Sequence, residues 1–159
     1  MRILHIRILI LLLPILLIQG CQDAEFLPAK ESVMSEQGLE AFELVNQHRK
    51  SLGLNALEHL TAVHESAKVH SSNMADGTVG FGHDGFSERI ADLKNSFYIQ
   101  KSGENVAYST CSNSASRVVS MWLNSEGHKK NIENTALTHT GMAMVTSAEG
   151  RCYYTQIFV

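Results

Sequence analysis

The sequence predicts an α+β fold in which helices surround an antiparallel sheet. Three observations support it: amphipathic helical patterns between residues 39 and 75, a further helical pattern around Trp122, and two strand patterns separated by a polar turn at the end of the chain. The chain has 159 residues, which suits one ordinary domain and leaves no room for two well-buried cores. Its 44% hydrophobic and 18% charged residues are typical of a chain that folds.

The first twenty residues have the pattern of an export signal. Arg2 and Arg7 give a short positive region, and an apolar run at 8–18 follows, interrupted only by Pro14. This run is too short to span a bilayer comfortably. It ends at Gly20, immediately before Cys21, and a small residue before the cut is what signal peptidases accept. We therefore predict a signal peptide at residues 1–20.

Cys21 is the predicted lipid attachment site. The apolar-x-Gly-Cys pattern around it resembles a lipobox, where bacteria attach diacylglycerol to the cysteine and cleave before it. The alternative is an ordinary secretory peptide with an incidental cysteine. Residues 21–35 are polar and read as a lipidated tether, followed by a domain at 36–159. Gln22 resembles an outer-membrane sorting signal if the cell is Gram-negative, and a Gram-positive plasma-membrane anchor is the alternative.

The charge of the mature chain argues against a nucleic-acid partner. Loss of two arginines with the signal lowers the basic residues from 13 to 11 against 16 acidic ones, which gives about −5 with histidine neutral. Phosphate binding requires a basic face, and none is visible. The expected partners are the membrane, through the lipid anchor, and a small-molecule, lipid or protein ligand.

The cysteine count predicts a disulfide. Three cysteines are an odd number for an exported chain. If Cys21 carries lipid, Cys111 and Cys152 remain as a pair in an oxidising compartment, where they would be bonded. The alternative is two separately buried thiols.

The helical patterns come first along the domain. One begins near Leu39, keeps Phe42 and Val45 on one stripe, and ends at Gly53. A second is predicted from about Glu58 to Ala75. Its inner stripe consists of Leu60, Val63, Ala67, His70 and Met74.

The remaining elements alternate between helix and strand. After a glycine-rich loop at 78–85, Phe86, Ile90 and Leu93 mark a short amphipathic helix, and 105–108 reads as a short strand. Ser112 or Ser114 can cap a helix that carries Val118, Val119, Met121, Trp122 and Leu123. The chain ends in a hairpin of residues 141–145 and 152–159 around a turn at 148–150.

Three segments carry the residues suited to chemistry: 82–86 (GHDGF), 102–107 (SGENVA) and 122–132 (WLNSEGHKKNI). With the segments 44–49, 141–143 and 153–158, in this order and spacing, the chain resembles the CAP superfamily, which includes cysteine-rich secretory proteins, antigen 5 and pathogenesis-related 1 proteins. It is most similar to the short bacterial SCP domain, here in a lipoprotein. The resemblance covers roughly residues 39–159 and implies a three-layer α-β-α sandwich with a central antiparallel sheet.

The resemblance also implies a cleft. Carried over by motif, its histidines are His83 and His128 and its acid is Glu104. Two neutral imidazoles can hold Zn²⁺ or another divalent metal, with a carboxylate and water completing the shell. The further cleft residues are Asn105, expected to brace a turn, and Ser125, which stands where longer family members have a second glutamate, with Glu126 beside it.

Each histidine also has a simpler interpretation. His83 and His128 could be hydrogen-bonding loop residues, and Glu104 could satisfy backbone N–H groups. We expect His70 to be a satisfied core histidine. The other histidines of the domain are expected to be surface or packing residues: His48, His59, His64 and His139.

The sequence is compatible with three functions. The favoured one is a metal- or ligand-binding module of the cell envelope that uses a cleft formed by His83, Glu104 and His128. The first alternative is a metal-assisted, peptidase-like hydrolase in which Glu104 activates a water. The second is a lipid- or sterol-binding protein, which requires an apolar groove. The missing second acid argues against catalysis.

Overall fold

The computed structural model describes residues 33–159. The predicted signal peptide, the lipidation of Cys21 and most of the tether lie outside the described residues. Five helices are present: α1 (Glu36–Ser51), α2 (Thr61–Ala75), α3 (Phe86–Lys94), α4 (Ser114–Leu123) and α5 (Glu126–Ile132). Four strands accompany them: β1 (Glu58–His59), β2 (Gly103–Thr110), β3 (His139–Thr146) and β4 (Arg151–Phe158). Within residues 33–159, no helix has both the length and the apolar character needed to cross a membrane.

The strands form one sheet in the order β1-β3-β4-β2. The three long strands pair antiparallel, as the sequence predicts, and β1 adds a two-residue parallel pairing to β3. β1 and β2 are thus the two edges of the sheet.

Helices cover both faces, because successive strand residues point to opposite sides. On one face, α1 and α4 pack on Met142, Tyr154 and Phe158. On the other, α2 and α3 pack on Ala143 and Ile157. This is the predicted three-layer α-β-α sandwich, and it is confirmed.

Gly141 sets the contact between α2 and the sheet. A Cβ at this position would collide with the backbone of Val63 and His64, so only glycine allows α2 to lie directly on β3. The inner stripe of α2 is otherwise as predicted, with Val63, Ala67, His70 and Met74 buried.

Two predicted boundaries are wrong, and one helix was not predicted. α2 begins at Thr61 rather than near Glu58, because residues 58–59 pair with β3. β2 is twice as long as the predicted strand at 105–108, since its whole length pairs with β4. The seven-residue helix α5 was not predicted, because its polar sequence has little apolar periodicity.

The predicted serine cap of α4 is also wrong. Asn113 occupies the cap position, in a left-handed conformation with φ 51° and without a side-chain cap bond. Ser114 is fully buried, and its hydroxyl donates to Oε1 of Gln37 at 2.6 Å and contacts the hydroxyl of Tyr154 at 2.6 Å. That serine therefore ties α1 to the sheet instead of capping a helix.

The predicted disulfide is confirmed. Cys111 and Cys152 are bonded, with their Cα atoms 5.1 Å apart. The bond joins the segment between β2 and α4 to the start of β4, so it fastens the end of the sheet that lies away from Gly103.

Candidate functional site

Glu104 is the centre of the site. It lies on the edge strand β2, and its side chain is only 1% exposed. Arg89, on α3, donates from Nη2 to Oε2 at 2.7 Å and to Oε1 at 2.9 Å, and from Nε to Oε2 at 3.2 Å. Nδ1 of His83 lies 2.9 Å from Oε1. Both oxygens of this buried carboxylate are thus held by charge-assisted hydrogen bonds.

The contact with Glu104 fixes the tautomer of His83. A carboxylate paired with a guanidinium is ionised and can only accept, so Nδ1 of His83 carries the proton. In the neutral ring, Nε2 then keeps its lone pair. The His83 side chain is 51% exposed, and no described residue donates to this Nε2. The lone pair is available to a ligand.

A glycine turn and two hydrogen bonds hold the loop that carries His83. Gly85 adopts φ +75°, which glycine tolerates best, and the turn lets the N–H of Phe86 donate to the carbonyl of His83 at 3.0 Å. Nε2 of His70, on α2, also donates to the carbonyl of Gly82 at 2.9 Å. The His70 ring is 1% exposed, and its burial lowers its pKa, so it is a neutral core residue that supports the loop.

The second histidine, His128, is positioned by contacts with the other face of β2. Asn105, fully buried, points away from Glu104 and donates from Nδ2 to the carbonyl of His128 at 3.1 Å. Asn131 donates from Nδ2 to Oδ1 of Asn105 at 2.9 Å and to the carbonyl of Glu104 at 3.3 Å. Gly103 leaves room for this amide, because a Cβ there would lie 2.9 Å from its Oδ1. These bonds attach α5, with His128, to the strand of Glu104.

His128 is neutral at ordinary pH. Its pKa is lowered by burial and, to a smaller extent, by the charge of His83. Hydrogen bonds to adjacent residues of β2 place the two predicted histidines around the same edge of the sheet. His83 contacts Glu104 on one side of the strand, and the carbonyl of His128 accepts from Asn105 on the other.

The second acid is not brought into this arrangement. Ser125 is the half-buried cap residue of α5, and its side chain makes no cap bond. Glu126 is exposed in the first turn of α5, and it forms no ion pair with a described residue. Across residues 33–159, no group of three or more His, Cys, Asp or Glu side chains is arranged to hold a metal ion. A metal here would have the two imidazoles as its protein ligands, with Glu104 behind His83.

Sequence reasoning missed Arg89, Asn131 and the supporting role of His70. Arg89 stands beside Ile90 on the apolar side of a predicted amphipathic helix, and an arginine in such a place needs a buried partner. That was a usable signal. Asn131 lies within the segment 122–132, but no local pattern shows its role, because its partner comes from a strand that lies 26 residues earlier in the chain.

Comparison with known proteins supports this reading of the fold. The pattern of the cysteine-rich secretory protein family (CAP) matches residues 42–158. Among curated proteins, two from Bacillus subtilis are 35% identical over 120 and 122 residues: the uncharacterized protein YkwD and the uncharacterized membrane protein YlbC. Each match covers 74% of this chain but only 44% and 32% of the relative. The chain thus spans less than half the length of these relatives.

Solved structures show the same architecture. An outer surface protein of Borrelia burgdorferi superposes with a TM-score of 0.67 at 23% identity, over 80% of this chain and 94% of that one. An extracellular protein of Bacillus anthracis that contains an SCP domain gives 0.63 at 30% identity, over 77% and 40%. The structure of NaASP2 with Zn²⁺ gives 0.60 at 14% identity, over 82% of both chains. The chain belongs to the cysteine-rich secretory protein (CAP) family.

Proposed function

We propose that this CAP domain is an extracytoplasmic binding module. Its histidines, His83 and His128, contact a divalent metal such as Zn²⁺ or another ligand that binds neutral imidazole nitrogens. The observation that carries the proposal is the hydrogen bond from Nδ1 of His83 to Glu104. A carboxylate behind a histidine fixes the ring and leaves Nε2 as a metal ligand, which is the usual second-shell arrangement.

The state of His128 supports the same proposal. A ring whose pKa is lowered by burial stays unprotonated, and only a neutral imidazole can ligate a metal. Two such rings held by separate elements would give a preformed but incomplete shell, with water in the remaining positions. The Zn²⁺ in the structure of NaASP2 is in line with a metal-binding role for this fold.

The hydrolase alternative is less well supported. A general base needs access to a water and a free oxygen, but the Glu104 side chain is 1% exposed and Arg89 occupies both its oxygens. The position of the missing second acid is held by Ser125, and Glu126 points into solvent. Glu104 is therefore proposed as a positioning residue for His83 rather than a catalytic one.

We also propose the cell envelope as the location. The disulfide suits an oxidising compartment, and the relatives include an outer surface protein and an extracellular protein. Anchoring through Cys21 stays a prediction. Mass spectrometry of the N-terminal peptide from envelope protein should find acylated Cys21, and an unmodified peptide starting elsewhere would contradict it.

Calorimetric Zn²⁺ titration of the full chain tests the binding function. Wild type should bind with a Kd of about 1 μM or tighter, a free energy near 8 kcal/mol, and the His83→Ala/His128→Ala double variant should lose this binding. His139→Ala is the matched control, since His139 is a partly exposed histidine beside Glu58. Equal binding by wild type and double variant would refute the proposed site.

A further inference from the structure

Three aromatic side chains, Phe81, Tyr108 and Tyr153, form a partly exposed aromatic patch at one end of the sheet. Tyr108 on β2 and Tyr153 on β4 are paired in register, with ring centroids 5.7 Å apart. Phe81, from the loop after α2, packs edge-on against Tyr108 with centroids 4.9 Å apart. Phe81 is 52% exposed and Tyr108 is 43% exposed. Exposed rings that touch one another, rather than lie scattered, point to a surface that contacts another molecule or a membrane.

Arg151 adds a positive charge to the aromatic patch. Its guanidinium lies over the Tyr108 ring, with Cζ 5.5 Å from the centroid. Glu149, in the exposed turn before β4, carries the opposite charge, so the rings and not a net charge supply most of the attraction. Rings with an apolar body and a polar hydroxyl, beside a guanidinium, suit the headgroup level of a lipid bilayer.

The chain enters the domain at this same end of the sheet. α1 begins at Glu36, and Nε2 of Gln37 donates to the carbonyl of Cys111 at 2.9 Å. Cys111 directly follows β2 and lies three residues after Tyr108. Val33, the first described residue, is 81% exposed. A membrane anchor in the preceding residues would therefore be joined to the end of the domain that carries the aromatic patch.

We propose that the aromatic patch lies on the surface of a lipid bilayer when the chain is anchored through Cys21. This contact depends on the anchor predicted for Cys21 and goes beyond the binding function of the cleft. Cys21 is 14 residues before Ser35, a stretch that spans at most about 50 Å at full extension. Within that reach, a contact too weak to recruit free protein from solution can still form, because anchoring raises the effective concentration.

This orientation leaves the candidate cleft open to water. Glu104 lies four residues before Tyr108 on the same face of β2, a distance of about 13 Å along the strand. Contact of Tyr108 with the headgroups therefore places His83, which is hydrogen-bonded to Glu104, outside the bilayer. Metal binding by the cleft does not depend on the contact.

Quenching of tryptophan fluorescence by brominated acyl chains tests the proposal. The native Trp122 is 1% exposed and gives the background signal. In the full chain, anchored to vesicles of brominated phosphatidylcholine and phosphatidylglycerol, Phe81→Trp should be quenched well beyond wild type. Tyr98→Trp is the matched control, because Tyr98 is 90% exposed but lies near His139 and Val159, at the other end of the sheet. This control should be quenched no more than wild type.

A second substitution tests whether the patch acts as a unit. Tyr108→Ser in the Phe81→Trp background should reduce the excess quenching, and thermal melting shows whether this variant remains folded. Quenching of Phe81→Trp that equals wild type or Tyr98→Trp, or that a folded Tyr108→Ser variant retains in full, would overturn the proposal.

A failed anchor and a failed contact are distinguished by supplying the anchor chemically. The other two cysteines, Cys111 and Cys152, are bonded to each other, so a maleimide phospholipid couples to Cys21 where the cell does not acylate it. Chemically anchored Phe81→Trp should show the same excess quenching. Its absence after coupling would refute the contact itself.

Discussion

Nδ1 of His83 donates to Oε1 of Glu104 at 2.9 Å, while Arg89 holds both oxygens of the same carboxylate. This chain of contacts runs from a half-buried guanidinium through a buried acid to an exposed imidazole. The contacts therefore link the stability of the fold to the orientation of His83, the candidate metal ligand. Glu104 takes part in both, and substitutions of its neighbours separate the effect on stability from the effect on metal binding.

Arg89→Ala should destabilise the domain strongly. It would leave the Glu104 carboxylate, whose side chain is 1% exposed, without its cation, and breaking a buried pair in this way costs about 3–5 kcal/mol. Urea unfolding measures the loss. Lys129→Ala is the control, because its exposed pair with Glu133 at 3.8 Å should contribute less than about 1 kcal/mol. Equal small losses for the two variants would show that the Arg89 pair does not stabilise the fold.

Asn131→Asp should weaken Zn²⁺ binding, although Asn131 is not one of the proposed metal ligands. The substitution replaces an amide donor by a carboxylate that faces Oδ1 of Asn105 and the carbonyl of Glu104, so α5 and His128 lose their attachment to β2. We expect an affinity loss of about 10-fold and a stability loss of about 1–3 kcal/mol. Asn124→Ala, which removes a local bond to Ser120 at 2.8 Å, should leave affinity unchanged. Wild-type affinity in Asn131→Asp would rule out this positioning role.

Stability should fall as the pH drops below about 6.5. Burial lowers the pKa values of His59, His70 and His128 in the folded chain, whereas the unfolded chain titrates near the ordinary value of about 6.5. Below that pH the unfolded chain binds protons that the folded chain resists, so the free energy of unfolding decreases. Urea midpoints between pH 7.5 and 5 measure the slope. A steady or rising midpoint on acidification would contradict the prediction.

Removal of the disulfide should cost about 4 kcal/mol. The bond spans 41 residues, and the chain-entropy estimate for a loop of this size gives about that value. The Cys111→Ser/Cys152→Ser variant, compared with wild type by thermal melting in the absence of reductant, checks it. A melting temperature within the error of wild type would mean that packing, and not the cross-link, holds this end of the sheet.

The parts of the structure that the sequence predicts depend on local patterns, whereas the parts that it does not predict depend on contacts between segments far apart in the chain. The layered fold, the inner stripe of α2 and the Cys111–Cys152 bond follow from periodicity and residue type, which a sequence displays directly. The start of α2 does not, because β1 exists only through pairing with β3. Asn131 likewise gains its role from β2, a distant segment. His59 and His64 have the pattern of ordinary packing residues, and nothing local shows that their buried Nε2 atoms lack a partner among the described residues.

Nitrogen-15 NMR of the imidazole rings during Zn²⁺ titration tests the central claim most directly. We predict that His83 is protonated on Nδ1 in the apo protein, and that the Nε2 signal of His83 and a ring-nitrogen signal of His128 shift together on metal addition, while those of His48 and His139 stay unchanged. A His83 ring protonated on Nε2, or ring signals of His83 and His128 that ignore Zn²⁺, would contradict the account of this site.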